Sequence, residues 1–157
     1  MKNLSINHKF NNIDQVERIN EFAGNHFFSE GALKFFSGKI YPTMFRGRFF
    51  VTSEKPPHGD RGYTIRMAQV DGGIETICDF GCFSSKKQAE NFIEKNLTFD
   101  HAKIIELLSR AFNSGKYYKM LARLKKSHPN QWTDIRNLNL VSTWLIDWVE
   151  KKIEGVN

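Results

Sequence analysis

Hydrophobic and polar positions alternate most regularly between Phe49 and Phe80, where the pattern predicts three strands, Phe49–Lys55, Tyr63–Val70 and Ile74–Phe80. In the second, Tyr63, Ile65 and Met67 fall on one face and Thr64, Arg66 and Ala68 on the other. That period of two is expected of a strand with one buried and one partly wet face. Pro56-Pro57-His58-Gly59-Asp60-Arg61-Gly62 cannot continue a strand and separates the first two, and Asp71-Gly72-Gly73 is a hairpin signal between the second and third. The period then changes. Between Ser84 and Asn96, Ala89, Phe92 and Ile93 recur at spacings of three and four, which predicts a helix closing over the apolar sheet face.

Helical patterns flank this region. Asn12 is placed to cap a short helix carrying Ile13, Val16, Ile19 and Phe22, which Gly24 ends. Another is predicted from Ser29 as N-cap, with Glu30 in its first turn and Leu33 and Phe36 on one face, to Gly38. The resulting order, helix, three antiparallel strands, helix, is an α+β fold with one sheet covered by helices. Beyond residue 98 the strand signals stop. Asp100 opens a helix with Ile104, Ile105, Leu107, Leu108, Ala111 and Phe112. A second carries Tyr117, Tyr118, Leu121 and Leu124 until Ser127-His128-Pro129 breaks it, and a third, from Asn139, carries Val141, Trp144, Leu145, Trp148 and Val149. The chain therefore divides into an N-terminal helical segment (1–28), an αβββα core (29–97) and a C-terminal all-helical extension (98–157). The last boundary lacks a Pro/Gly/Ser linker, which argues for a packed extension within one folding unit.

Composition narrows the class of partner. With 157 residues, 40% of them apolar and fourteen Phe, the chain has enough material for its own core. A net charge of +6 favours nucleic acid, an acidic protein surface or anionic lipid over a neutral partner, the competing reading being ordinary solvated charge. No apolar run approaches the ~20 residues that span a bilayer. The N-terminus is polar and has no signal-peptide stretch, so export is not expected and the location read is cytoplasmic, away from membrane. Cys78 and Cys82 are then expected as free thiols.

Candidate chemistry is sparse. Cys78-x-x-x-Cys82, completed by His101 or His58, has the ligand types of a tetrahedral zinc site. The spacing is not that of a zinc knuckle and a second pair is missing, so the cysteines are read as small apolar fillers at a strand end. The histidines are scattered, the glycines form no phosphate-binding loop, and Asp79-Phe80-Gly81 stands without the other kinase elements. No catalytic residue, metal or cofactor is predicted, and an enzyme with a site assembled from scattered His, Cys and Asp ranks third among the functional classes.

The strongest charged feature is Lys116, Lys119, Arg123, Lys125 and Lys126, interleaved with Tyr117 and Tyr118. Cations that neutralise phosphates beside rings that stack on bases suit a nucleic-acid surface. The competing reading makes Tyr117, Leu121 and Leu124 a core stripe with solvated lysines around it. A second basic patch is expected from Arg46, Arg48, Arg61 and Arg66 around the sheet edge, with Arg61, Arg66, Tyr117 and Tyr118 as candidate partner contacts. Trp132, Trp144 and Trp148 are assigned to the core, any exposed one being a candidate interface anchor.

Two resemblances extend this reading. With Pro56, Pro57 and His58 in the first inter-strand loop and Lys86-Lys87-Gln88-Ala89 opening the last helix, residues 29–97 resemble the double-stranded-RNA-binding domain. That resemblance implies shape readout, with the His58 loop in a minor groove and Lys86 and Lys87 on phosphates. Glu90 stands where that family has a third basic residue. Phe35-Phe36, Phe50-Val51-Thr52-Ser53-Glu54 and Tyr63-Thr64-Ile65-Arg66 resemble a widespread family of short uncharacterised bacteriophage proteins over residues 35–80, which implies phage origin and no activity to carry over. The expectation is a non-enzymatic phage-type accessory protein that binds and inhibits a host protein or ribonucleoprotein complex handling nucleic acid in defence, in the manner of an anti-CRISPR protein. Direct binding of structured RNA, or of DNA, is the alternative. Oligomeric state is left open.

Overall fold

The computed structural model describes residues 4–29 and 38–156, and the helix expected between Ser29 and Gly38 falls outside them. The chain forms two compact units, Met1–Thr98 and Phe99–Asn157.

The first unit begins with α1 (Ile13–Phe22), which Asn12 caps by accepting the amide of Gln15 at 3.0 Å. Its sheet runs in the order β1 (Lys39–Ile40), β2 (Phe49–Glu54), β3 (Gly62–Ala68), β4 (Ile74–Ile77), antiparallel throughout. Among the described residues four strands stand where three were expected, because β1 is a two-residue edge paired with Ser53 and Thr52, too short to show alternation. β4 stops at Ile77 and not at Phe80, since Cys78 takes a left-handed backbone (φ 62°) that a strand cannot continue through.

Register sorts the side chains. Phe50 lies opposite Arg66 and Arg66 opposite Thr76, so Phe50, Thr52, Glu54, Thr64, Arg66 and Thr76 share one face, while Phe49, Val51, Ile65, Met67 and Ile77 share the other. Helix α2 (Lys86–Asn96) covers the second face with Ala89 and Ile93. Ser85 accepts the Gln88 amide at 3.1 Å, and the Gln88 side chain accepts the Ser84 amide at 3.1 Å, a reciprocal cap that starts the helix there. Phe92 departs from its expected place: it is half-buried beside the Phe83 ring, with centroids 5.4 Å apart. Phe92→Ala is therefore expected to cost about 1–2 kcal/mol, less than the 3–5 typical of a fully enclosed Phe. Thermal denaturation checks the difference.

Opposite α2, the apolar part of the other face is closed by Phe10 and Val16 over Phe50 and Ala68, with Ile13, Ile19, Phe27 and Phe28 packed around them. Asn20, buried on α1, ties this layer together by donating to the Gly72 carbonyl at 2.8 Å and accepting the Phe27 amide at 3.2 Å. The remainder of the face, expected to be partly wet, is a polar network in which Thr52 and Thr64 are buried and Arg66, Glu54 and Thr76 are partly accessible. Arg66 donates to Glu54, Thr52 and Thr76 at 3.0, 3.1 and 2.6 Å, and Thr52 and Thr64 donate to the Glu54 carboxylate at 2.7 and 3.1 Å.

The second unit is helical: α3 (Phe99–Ala111), a 3₁₀ turn (Gly115–Tyr117), α4 (Tyr118–Ser127), α5 (Pro129–Asn137) and α6 (Thr143–Ile153). Helix α5 was not expected. Pro129 does end α4, but it also occupies the first turn of the next helix, where its missing N–H costs nothing and its fixed φ suits the start. The core is built from Ile104, Ile105, Leu108, Leu121, Trp132, Ile135, Ile146 and Val149. Buried His101 is held by Asp134, Nε2 to Oδ2 at 2.8 Å, and buried Glu106 is paired with Arg110. Among the described residues no helix is long and apolar enough to cross a membrane.

Candidate interaction surface on the helical unit

Helix α6 buries Ile146, Val149 and Ile153, at spacings of three and four. A helix that directs this stripe inward must direct Trp144, Trp148 and Lys152, one turn apart from each other, elsewhere. Trp144 is accordingly 57% exposed, contrary to its expected core role, and Phe112, just past the end of α3, is 53% exposed. The two meet edge-on with centroids 5.4 Å apart, Phe112 also lies 5.6 Å from Trp148, and Tyr118 at the start of α4 lies 6.2 Å from Trp148. The Lys152 ammonium sits 5.5 Å above the Trp148 ring. Helices α4 and α6 and the residue that follows α3 thus contribute to one ring cluster, exposed at Trp144 and Phe112 and half-buried at Trp148 and Tyr118. Exposed aromatic area of this kind is uncommon on a monomer's surface and marks contact sites.

The basic run separates into two parts. Lys125 is engaged: it donates to Glu150 at 3.2 Å and lies 5.9 Å over the Trp132 ring. Arg136 bridges Asp147 and Glu150 at 2.7 and 3.0 Å. Burial works to raise the Glu150 pKa, but hydrogen bonds from Arg136 and Lys125 outweigh it and hold the carboxyl below its ordinary value. Lys119, Arg123 and Lys126, four and three apart on α4, are exposed and have no acidic partner among the described residues. Lys116 lies 5.2 Å over the Tyr117 ring, whose position is also shared with the Arg110 guanidinium at 5.9 Å. The expected core stripe moves by one residue: Leu121 and Ala122 are buried, while Tyr117, in the preceding turn, and Leu124 are half-buried.

In the first unit, the loop carrying His58 is exposed. Tyr63 pairs with Phe83, just before α2, which brings the start of that helix to the end of the sheet from which this loop leaves. Lys87 is exposed there, whereas Lys86 is engaged by Glu90 at 3.4 Å and lies 5.4 Å over the Tyr41 ring. Of the arginines expected to form a surface patch, Arg48 is buried, Arg61 and Arg66 are half-buried and Arg46 is exposed. Arg46 donates to the carbonyls of Leu97 and Glu94, both at 3.1 Å, at the C-terminal end of α2, where a cation offsets the exposed carbonyl dipoles. Arg48 is fully buried and donates to the carbonyls of His8, Ala68 and Ile6 at 2.9, 3.2 and 2.7 Å. Arg66 is enclosed between the Phe27 and Phe80 rings, at 5.2 and 5.4 Å, and Arg61 donates to Ser53 at 3.1 Å. Backbone carbonyls draw the Arg48 guanidinium inward, and the Glu54 carboxylate holds that of Arg66 against the sheet.

Burial and the neighbouring Cys82 push the Cys78 thiol up to about 12, which makes it a poor nucleophile and ligand at neutral pH. Among the described residues no group of three or more His, Cys, Asp or Glu is arranged to hold a metal ion.

No curated protein and no solved structure matches the chain. A family model described as a family of unknown function does match, over residues 12–94, which spans α1, the whole sheet and most of α2 and leaves the ring cluster and the basic stripe of α4 outside it. The match covers more than half of the sequence, and the chain belongs to that family, DUF7447.

Proposed function

We propose that this protein is a non-enzymatic accessory protein of bacteriophage type that binds, and by binding inhibits, a host nucleic-acid-handling defence complex in the cytoplasm, as anti-CRISPR proteins do. The observation that carries the reading is the cluster of Phe112, Trp144, Trp148 and Tyr118, which leaves the Phe112 and Trp144 rings more than half exposed and has the Lys152 ammonium over Trp148. Aromatic anchors supply most of the binding energy in protein interfaces, and their exposure in an unbound chain costs solubility that a surface without a partner has no reason to bear. Capture of the host complex on the tagged protein, with and without nuclease, tests this. Binding should survive nuclease, and a partner that disappears with it would sink the reading.

A second reading rests on a different observation, the placement of the His58 loop and of Lys87 at one end of the sheet. It assigns duplex RNA to the first unit, with phosphate contacts that weaken as salt rises. Because Lys86 is already engaged by Glu90, the grip is left mainly to Lys87 and His58. If the duplex reading holds, micromolar protein at low salt retains duplex RNA and joint reversal, Lys86→Glu with Lys87→Glu, abolishes retention without lowering the melting temperature. Absence of any retention by the unmodified protein ends it.

A further inference from the structure

Taking the ring cluster as a protein-docking face, we infer that its partner presents an acidic surface around an apolar knob, and that the cluster does not stack nucleic-acid bases. The inference rests on the reading proposed above and adds the partner's chemistry. Charge around the cluster is one-sided. No acidic residue occurs from Leu107 to Thr133, the stretch that supplies Phe112 and Tyr118. On α6, Trp144, Trp148, Lys151 and Lys152 fall within about 100° of helix arc. Asp147 and Glu150 of the same helix are turned to Arg136 and Lys125 and are neutralised there. What remains beside the rings is cationic: Lys152 lies over Trp148, and Lys151 shares the same arc of α6. An acidic rim on the partner complements that field, whereas a basic or neutral one leaves desolvated ammonium groups without counter-charge.

Ring geometry argues against bases. A single strand stacks on open, flat ring faces. Here the rings pack against one another at interplanar angles of 76°, 58° and 65°, so that they jointly present edges and corners. The Lys152 ammonium also occupies one face of Trp148. Such an edge-on array suits protruding apolar side chains flanked by carboxylates.

The test uses the full chain as bait for a random peptide display library, with Trp144→Ala as the counter-selection bait and circular dichroism confirming that this exposed substitution leaves the fold intact. Peptides lost on Trp144→Ala are expected to combine Leu, Ile, Phe or Trp with flanking Asp and Glu. For the best of them as a synthetic peptide, Trp144→Ala or Phe112→Ser should weaken binding by at least about tenfold. Lys152→Glu should weaken it too, and affinity should fall as salt rises. Enriched peptides that depend on Trp144 but are neutral or basic overturn the acidic partner while leaving the docking face. A library in which no peptide distinguishes the two baits overturns the docking face itself. A single-stranded oligonucleotide whose binding is lost on Trp144→Ala, or a dimer in sedimentation that this substitution dissolves, assigns the cluster to another occupant and overturns the inference.

Discussion

Arg48→Met is expected to destabilise the first unit by about 4 kcal/mol, lowering its melting temperature by more than about 15 °C. The side chain is fully buried, and its guanidinium reaches three carbonyls, those of Ile6, His8 and Ala68, the first two from forty or more residues away in sequence. Met fills much of the same volume, so packing is largely preserved and the loss isolates the hydrogen bonds. Without the guanidinium, the Ala68 carbonyl at the end of β3 and the two N-terminal carbonyls lose a charged donor together. Each lost charge-assisted bond contributes roughly 1.5–3 kcal/mol, moderated where water can replace it. Lysine cannot restore three divergent acceptors from one ammonium, so Arg48→Lys should recover little of the loss. A thermal melt of the three proteins decides the matter: unchanged melting of Arg48→Met would show that the N-terminal segment is held by its apolar contacts alone.

Gly72→Val is expected to cost about 3 kcal/mol through the turn between β3 and β4. Gly72 has φ +96°, a conformation that strains any L side chain. A Cβ there would also stand 2.5 Å from the Ala23 Cβ and 2.8 Å from the Ile19 carbonyl oxygen, both at the end of α1. The carbonyl of Gly72 accepts from Asn20 at 2.8 Å and Asn25 at 3.1 Å, so displacing the turn breaks the contact that fixes α1 to the sheet. Gly24, also at positive φ but with open space where a Cβ would stand, provides the control. Gly24→Ala should show the strain alone, and denaturant titration of both variants separates strain from overlap.

The sheet is legible in the sequence because β3 alternates over enough residues to show a period of two, and because Pro56-Pro57 and Asp71-Gly72-Gly73 mark the turns on either side of it. β1 is not, since two residues have no period. The early end of β4 is hidden because a left-handed residue is normally announced by Gly or Asn, and here it is Cys78. Helix α5 is hidden when Pro129 is read as a stop alone, although a proline followed by Trp132 and Ile135 at a spacing of three also fits a start. The basic run is legible as charge. Its division is not, because the residue that engages Lys125 is Glu150, twenty-five positions away.

The ring cluster does have a signal in the sequence. Ile146, Val149 and Ile153 compete with Trp144 and Trp148 for the inward face of α6, and aliphatic residues on one stripe with large aromatics and lysines on the next point to the aromatics being outside. Phe112 continues the apolar stripe of α3 by spacing, but the helix ends at Ala111 and its ring turns to Trp144. Arg48 and Arg66 show the converse error: charged side chains read as surface are drawn in by acceptors contributed from distant strands and from the N-terminal segment.

The central claim, that this protein acts through an aromatic docking face and not through phosphate contacts, is tested most directly by quantitative capture from nuclease-treated bacterial lysate on three baits. These are the unmodified chain, Trp144→Ala, and the triple reversal Lys119→Glu, Arg123→Glu, Lys126→Glu. The account predicts a discrete host complex retained on the unmodified chain, lost on Trp144→Ala and largely kept on the triple reversal. A complex kept on Trp144→Ala and lost on the triple reversal would contradict it.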